Sequence, residues 1–423
     1  MTALLKTHED TGFQIDLRHA MLLFAKALDY VGIDDLYHGH RVAYTAYKCA
    51  ERLGWPEKKV QFCFFAGLIH DCGVSQSQEH LLLLKEMVPQ GAEAHCERGY
   101  EALYQCGVLA SFANVIRYHH TPWEHLVHES ITDDEKDVAA LLFLSDRVDY
   151  LRAKYIGNCH ENLVTLHQSY IAENIRTQAG FLFNDVMVEA MCGLILKEGF
   201  WFSMETDHIE SLALSFDNDP NYDQLLTLDE MTEVAMFLAK IVDAKSPFTY
   251  QHSQKVADLS LFLGEKMDLS EREQAMIYVA GLVHDIGKLK TPDEILNKKG
   301  PLTSEEFVHI KRHTTDTELA LNKVFPDSKI CRWAADHHER LDGSGYPNRK
   351  IAEAIELPSR IIAVADVFQA LMQNRPYRSA LSSENALILM KEMVFKNKLD
   401  GEVMACLLSN IDECCAIATA KCQ

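Results

Sequence analysis

The sequence has no apolar run long enough to cross a membrane and no secretory leader pattern. Its longest uninterrupted apolar stretch covers residues 62–69, well short of the roughly 20 residues that span a bilayer. The first thirty residues carry acidic and histidine side chains in place of a basic segment followed by an apolar one. We therefore predict a cytoplasmic protein and expect no membrane partner.

Positive charge is scarce as well. The 423 residues include 41 Lys and Arg against 62 Asp and Glu, which gives a formal net charge of −21. Binding to long nucleic acids without sequence preference relies on a basic surface, so we do not expect this class of partner. A small anionic ligand stays compatible with the charge, provided that local cations or metal ions surround it.

Several motifs of common enzyme classes are missing. The twelve cysteines include no Cys-x-x-Cys pair, which is typical of buried thiols in an intracellular protein. Neither a phosphate-binding P-loop nor an evident serine nucleophile is present. Covalent catalysis by serine and P-loop chemistry are therefore not expected.

Long alternation of apolar and polar residues, which would indicate a half-buried strand, is also absent. Apolar residues recur instead at three- and four-residue intervals, as in residues 21–31, 42–53, 228–242 and 256–267. Residues 303–306, Thr-Ser-Glu-Glu, form the polar start expected of a helix that runs towards His313. We predict an all-α fold of two tandem helical bundles, with the boundary in the turn-rich segment 215–222.

Histidine is the unusual count, at twenty residues, and its positions repeat. Potential metal ligands follow one another in the same order in both halves of the chain. In the first half they are His40, His70, Asp71, His95, His119, His120 and Asp146. In the second half they are His252, His284, Asp285, His313, His337, His338 and Asp366. The sequence therefore predicts an internal duplication.

Imidazoles and carboxylates from several helices are ligands that first-row divalent metals favour. Asp285 lies next to His284 and can bridge two cations with its two oxygens. Two metals about 3.5–4 Å apart can polarise a phosphodiester and stabilise its leaving oxygen. A single histidine on a helix is usually solvated or hydrogen-bonded, but a full repeated set predicts a metal centre and metal-assisted hydrolysis.

Three segments of the second half form a recognisable pattern. They are His284-Asp285-Ile286-Gly287-Lys288, residues 337–347 with the sequence HHERLDGSGYP, and Arg375-Pro376-Tyr377-Arg378. Together they resemble the HD-GYP family of bacterial cyclic-dinucleotide phosphodiesterases, over about residues 228–410. The first half resembles the broader HD phosphohydrolase superfamily. The resemblance implies two tandem HD-type helical bundles, an N-terminal HD-type domain over 1–215 and an HD-GYP catalytic domain over 216–423.

The resemblance also implies a metal assignment, in which Asp285 bridges two divalent transition metals such as iron, manganese, nickel or zinc. The remaining ligands would be His252, His284 and Asp366 for one ion and His313, His337 and His338 for the other. Members with a third metal have a glutamate where Phe248 stands, so two metals are implied. Lys288 would act in catalysis beside Asp285, either on a substrate phosphate or on the attacking hydroxide.

Four further residues are candidate substrate contacts under the same resemblance. Arg375 and Arg378 suit bidentate recognition of phosphate or guanine, although surface arginines also form plain salt bridges. Tyr346 either stacks on a base or packs its loop. Arg340 either contacts substrate or braces the loop.

The first half departs from the HD-GYP pattern. Val74 stands where Lys288 does, and the Gly-Tyr-Pro loop is missing. Either this half binds metal, or its histidines form a relict site that packs without metal. Its role would be regulation of the catalytic half or an independent hydrolase activity, for example removal of a 5′-phosphate from the linear product.

We predict a metal-dependent phosphodiesterase that hydrolyses 3′,3′-cGAMP, c-di-GMP or both. A metal-bridging hydroxide would attack phosphorus and leave a linear dinucleotide with a 5′-phosphate. One alternative is a cyclic-dinucleotide receptor without turnover, and another is an HD nucleotidase acting on other nucleotides. Exposed apolar stripes on helical bundles favour a homodimer.

Overall fold

The computed structural model describes residues 13–31, 37–74, 86–89, 91–156, 161–216, 223–245, 252–325, 328–373 and 380–420. The chain divides into two compact units, one of residues 17–223 and one of residues 224–423 together with the segment up to Asp16. The all-α prediction is confirmed apart from one sheet of two short strands, which are β1, Phe13–Asp16, and β2, Asp223–Leu226. The domain ranges 1–215 and 216–423 stay a prediction, from which β1 differs because it belongs to the second unit.

The first unit is built from helices of very different length. Its described α-helices are α1 (Leu17–Val31), α2 (His38–Arg52), α3 (Glu57–Ile69), α4 (Glu93–Tyr104), α5 (Ala113–Tyr118), α6 (Trp123–Leu126), α7 (Asp133–Ile156), α8 (Gln168–Arg176), α9 (Asp185–Ile195), α10 (Glu198–Phe202) and α11 (Thr206–Ser215). Two 3₁₀ helices, Gly107–Phe112 and Glu161–His167, connect them.

The second unit repeats much of this order. Its described α-helices are α12 (Leu228–Lys245), α13 (His252–Lys266), α14 (Glu271–Val283), α15 (Asp293–Leu296), α16 (Ser304–Val324), α17 (Lys329–Ala335), α18 (Leu357–Met372), α19 (Ser383–Phe395), α20 (Gly401–Ser409) and α21 (Ile411–Thr419). Its described 3₁₀ helices are Ile286–Lys290, Asp336–His338 and Ala352–Ala354. None of the helices that the structure describes in either unit is long and apolar enough to cross a membrane.

Each unit is organised around one close helix pair, α2 with α3 and α13 with α14. Glycine permits the close approach in both. A methyl group on Gly67 would lie 2.6 Å from Cα of Ala43, and one on Gly281 would lie 2.7 Å from Cα of Ala257. A larger side chain at either position would force the helices apart, so these glycines fix where the C-terminal ends of α3 and α14 lie.

Helix starts agree with the sequence pattern. Thr303 is the N-cap residue of α16 and forms a reciprocal capping box with Glu306. The Thr303 side chain accepts from the backbone N–H of Glu306, and the Glu306 carboxylate accepts from the backbone N–H of Thr303. Such a cap stabilises a helix by about 1 kcal/mol. The predicted helix leading to His313 is confirmed.

Candidate metal centres

The second unit brings its predicted ligands together from the ends and middles of several helices. His252 is the first residue of α13, while His284 and Asp285 follow the last residue of α14. The other four lie in α16, in the 3₁₀ helix at 336–338 and in α18, and they are His313, His337, His338 and Asp366. Six of the seven are buried, and His338 is half-buried.

Asp285 lies between two groups of ligands, and each of its oxygens faces a different group. Its Oδ2 is 3.3 Å from Nε2 of His284 and 3.6 Å from Nε2 of His252. Its Oδ1 is 3.5 Å from Nε2 of His313 and 3.8 Å from Nε2 of His337. Asp366 completes the first group, with Oδ1 3.3 Å from Nε2 of His252. A bridging carboxylate between two cations needs this arrangement.

Backbone carbonyls orient the imidazoles. Nδ1 of His284 donates to the carbonyl of Gly281 at 2.7 Å, and Nδ1 of His337 donates to the carbonyl of Ala334 at 2.6 Å. His313 repeats the arrangement with the carbonyl of Ile310 at 2.6 Å. A proton on Nδ1 leaves Nε2 with a lone pair that points into the centre, which is the tautomer that a metal ligand needs.

Unsatisfied buried atoms indicate that a cation fits this centre. Among the described residues, Nε2 of His252, Nε2 of His284 and Oδ1 of Asp285 have no hydrogen-bond partner. Buried polar atoms without partners are costly and rare in folded proteins. Metal coordination would satisfy all three, because each is a lone-pair donor: the two imidazole nitrogens face the group of Asp366, and Oδ1 of Asp285 faces the group of His313.

The protonation states also suit a metal. Burial raises the pKa of Asp285, but the positive charges of His284 and Lys288 outweigh it and hold the pKa well below its ordinary value. Burial lowers the pKa of His313 to about 4, with a further contribution from Lys288. Burial and neighbouring imidazoles likewise hold the pKa of His337 well below its ordinary value. Near neutral pH Asp285 is therefore a carboxylate, and His313 and His337 are neutral imidazoles. Burial lowers the pKa of His284, but the carboxylate of Asp285 outweighs burial and raises it above its ordinary value.

Gly287, two residues after Asp285, lets α16 approach the segment that carries this aspartate. A methyl group there would lie 1.9 Å from the carbonyl oxygen of His313. The backbone N–H of Gly287 donates to the hydroxyl of Thr317 at 3.0 Å, and that hydroxyl donates to the carbonyl of His284 at 3.1 Å. These contacts hold the helix that carries His313 against the segment that carries Asp285.

The loop after the histidine pair is braced by its own residues. Glu339 is buried and accepts from the backbone N–H groups of Asn348 at 2.7 Å and Lys350 at 2.9 Å. Arg340 donates to the carbonyls of His337 at 3.1 Å and Glu339 at 3.0 Å. Of the two roles considered for Arg340, these contacts are those of a brace.

Two other predicted contacts lie at the centre. The ring of Tyr346 lies 4.8 Å from that of His338, centroid to centroid, so this tyrosine covers a predicted ligand. The ammonium of Lys288 donates to Oδ2 of Asp285 and is 20% exposed. Arg375, Arg378 and the Phe248 position lie outside the described residues.

The first unit contains the same arrangement around Asp71. Its Oδ2 is 3.4 Å from Nε2 of His70, and its Oδ1 is 3.5 Å from Nε2 of His95 and 3.7 Å from Nε2 of His119. These distances match those around Asp285 within a few tenths of an ångström. His120 joins the group of His95 and His119, and Nε2 of His70, Oδ1 of Asp71 and both ring nitrogens of His120 have no hydrogen-bond partner among the described residues.

One predicted ligand of the first unit is corrected by the structure. His38, and not His40, groups with His70 and Asp146, and its Nε2 lies 3.3 Å from Oδ1 of Asp146. His40 points elsewhere in α2, with its Nε2 3.9 Å from Glu210 and its ring against Tyr37. The equivalent of His252, the first residue of α13, is therefore the first residue of α2.

The sequence held a signal for this correction. His38 precedes His70 by 70 − 38 = 32 residues, and His252 precedes His284 by 284 − 252 = 32 residues. His40 gives a spacing of 30. A constant offset between the halves would have identified His38.

The residues around the ligands differ between the units. Nδ1 of His38 donates to the carboxylate of Asp149 at 2.7 Å, whereas Nδ1 of His252 donates to the carboxamide of Gln369. Arg41 holds Asp149 with two hydrogen bonds of 2.7 and 3.0 Å. The hydrogen-bond partner of His38 in the first unit is therefore a buried carboxylate held by an arginine. The partner of His252 in the second unit is a neutral carboxamide.

The cations also differ in position. In the first unit Arg147 donates from Nη2 to Oδ2 of Asp146 at 2.7 Å, and its side chain is 1% exposed. Val74 takes the place of Lys288 and is buried. The first unit thus has a cation on its outer aspartate and none, among the described residues, at the Lys288 position.

Comparisons with known proteins agree with this geometry. Residues 36–151 and 236–403 each match the HD domain. The chain is 46% identical to the 3′3′-cGAMP-specific phosphodiesterase 1 of Vibrio cholerae, over 97% of this chain and 95% of that protein. It is 32% identical to the cyclic di-GMP phosphodiesterase response regulator RpfG of Xanthomonas campestris, over 47% of this chain and 52% of that protein.

A solved structure supports the fold. The crystal structure of a cyclic GMP-AMP specific phosphodiesterase of V. cholerae superposes with a TM-score of 0.62 at 22% identity, covering 95% of this chain and 98% of that one. The two bundles and their His-Asp centres define an HD-domain protein whose clusters could bind metal ions. The chain belongs to the HD-GYP family of phosphodiesterases, in the group with an additional N-terminal HD domain, as the sequence motifs predicted.

Proposed function

We propose that the second unit hydrolyses a cyclic dinucleotide, 3′,3′-cGAMP or c-di-GMP or both, to a linear dinucleotide with a 5′-phosphate. The observation that carries the proposal is the position of Asp285, whose two oxygens face two separate sets of histidines. It is supported by the 46% identity to a 3′3′-cGAMP-specific phosphodiesterase. A cytoplasmic location and a homodimer stay predictions.

The proposed metal ligands of the second unit share Asp285 between two divalent transition ions. They are His252, His284 and Asp366 for one ion and His313, His337 and His338 for the other. A pair of such ions supplies a water of lowered pKa and charge stabilisation at a phosphate. First-row divalent metals such as iron, manganese, nickel and zinc all suit this set of imidazoles and carboxylates.

The side chains of the chain itself perform the remaining tasks. Asp285 stays ionised because His284 and Lys288 lower its pKa. The ammonium of Lys288 donates to Asp285 and is partly exposed, so it can turn from that oxygen to a phosphate oxygen of the substrate. Lys350 stabilises the 3₁₀ helix that carries the histidine pair, because it donates two hydrogen bonds of 2.7 Å to Asp336, the residue before His337.

The first unit is proposed to be a second metal centre, in which His38 replaces the predicted His40. The matching distances around Asp71 favour this over a relict site without metal. Because Val74 replaces Lys288, we do not assign cyclic-dinucleotide cleavage to it. Regulation of the second unit and hydrolysis of a 5′-phosphate monoester are its two proposed roles.

Product analysis tests the main proposal. The full chain is incubated with Mn²⁺ or Fe²⁺ and with each cyclic dinucleotide, and the products are separated by chromatography. A linear 5′-phosphorylated dinucleotide supports the proposal. Binding without product under both metals would favour the receptor, and cleavage of only non-cyclic nucleotides would favour the nucleotidase.

A further inference from the structure

We infer that Phe307, together with Lys311 one turn further along α16, forms a stacking platform that binds a purine base of the substrate. The inference rests on the proposed cyclic-dinucleotide hydrolysis and adds a recognition surface to it.

An aromatic path leads from the metal ligands to Phe307. The ring of Tyr346 packs 4.8 Å from that of His338, and the ring of Phe307 lies 6.1 Å from that of Tyr346 at an interplanar angle of 84°. Phe307 is 44% exposed. A phenylalanine that is exposed to this extent, and that meets the covering tyrosine in a T-shaped contact, keeps part of its surface free for a flat ligand.

The platform is fixed relative to the centre. Phe307 lies on the same helix as His313, six residues earlier, and the capping box of Thr303 and Glu306 stabilises the first turn. Lys298 adds an ion pair to Glu306 with N–O distances of 2.6 and 2.7 Å. A recognition residue on a rigid element positions a ligand better than one on a loop.

Lys311 supplies charge at the same place. Its ammonium lies 5.3 Å from the centroid of the Phe307 ring, within the range of a cation–π contact. Among the described residues this ammonium has no carboxylate partner. A cyclic dinucleotide carries two phosphates, only one of which can lie at the metal ligands, so a cation beside a stacked base can pair with the other.

The first unit has different residue types at the positions that correspond to Phe307 and Lys311. His95 and His313 are related by an offset of 313 − 95 = 218 residues, which pairs Phe307 with Pro89 and Lys311 with Glu93. An aromatic ring and a cation are thus replaced by a proline and an anion. The difference fits a platform that serves only the second centre.

Phe307→Ala tests the platform. Stacking of one base on an aromatic side chain contributes about 1–3 kcal/mol, which corresponds to about a 5- to 150-fold rise in KM. We expect this rise for the cyclic dinucleotide with kcat and bound metal nearly unchanged, and we expect Phe307→Trp to restore the KM. Lys311→Gln should raise KM and reduce its dependence on salt.

Val308→Ala is the matched control, because Val308 is the next residue of α16 and is 59% exposed. A normal KM in Phe307→Ala, or an equal rise in both variants, would overturn the inference while the proposed function stands. Absence of cleavage by the unaltered chain with every metal tried would instead overturn the proposed function, and the platform with it. The two failures are therefore distinguishable.

Discussion

The two units present nearly the same ligand geometry in different surroundings. The imidazole distances to Asp71 and to Asp285 agree within a few tenths of an ångström. The cation in the second unit is Lys288, which is 20% exposed beside the bridging aspartate. The cation in the first unit is Arg147, which is 1% exposed beside the outer aspartate. Of these two side chains, only that of Lys288 has exposed surface that a ligand could contact.

The comparison teaches that a ligand set defines a metal centre but does not define an enzyme's substrate. Among the described residues, seven His and Asp side chains converge in each unit and could bind metal ions. Cleavage of a phosphodiester also needs positive charge placed where negative charge develops on the phosphate in the transition state. In the described residues that charge is available at the second centre, through Lys288, and the first has Val74 in its place.

The largest expected effect comes from the bridging aspartates. Asp285→Asn should reduce cyclic-dinucleotide cleavage by about 10³-fold or more, because loss of the shared ligand removes several kcal/mol of charge stabilisation. Asp71→Asn should leave cleavage within about twofold. Rates of linear product formation measure both. Equal losses in the two variants would show that the units do not divide the chemistry as proposed.

The corrected ligand gives the next test. His38→Ala should weaken metal binding in the first unit by about 100-fold, as removal of a direct ligand costs at least as much as removal of its supporting partner. His40→Ala, two residues away on α2, should leave it unchanged. Both are measured as bound metal on an Asp285→Asn background. A loss in His40→Ala without one in His38→Ala would restore the original prediction.

Lys288→Met should lower kcat/KM by about 10²-fold, a loss typical of one removed electrostatic contact to a reacting group. The metal content should stay the same, because Lys288 is not a ligand. Val74→Met is the matched change in the first unit and should not alter the rate. A metal content that falls together with the rate would assign Lys288 a structural role instead.

The smallest expected effect concerns Asp149 and Gln369, which accept hydrogen bonds from Nδ1 of His38 and of His252. Asp149→Leu should weaken metal binding in the first unit by about tenfold, because Nδ1 of His38 loses the acceptor that orients it. Gln369→Leu should do the same in the second unit. Competition with a chelator measures both. Tight metal binding in Asp149→Leu would mean that packing alone orients His38.

Much of the fold followed from local pattern. The three- and four-residue periodicity predicted α2 and α13, and the polar start at Thr303 predicted α16. These features are local, because a capping box or an apolar stripe acts within a few residues of chain. The short pairing of β1 with β2 was not predicted, since it joins segments about 200 residues apart and four-residue strands carry almost no pattern.

The sequence predicted the candidate sites of the two units with unequal success. Residue type and order pointed to six of the seven His and Asp side chains that converge in the first unit and to all seven in the second, and their role as metal ligands stays a prediction. The spacing to His70 favoured His38, but residue type alone does not separate it from His40, because both are histidines of one helix. Which of them turns inward depends on the rotation of α2 against α3, and the close contact at Gly67 fixes that rotation.

The sequence by itself determined the duplication, the helical class, the types of the candidate ligands, and the valine three residues after Asp71 where a lysine follows Asp285. These are properties of residue identity and short-range order. The tertiary structure alone decided that Asp71 and Asp285 each face two sets of imidazoles, that Arg147 is buried on Asp146, and that Phe307 stands exposed beside Tyr346. Such relations join residues far apart in the chain, and only the packing of helices brings them within a few ångströms.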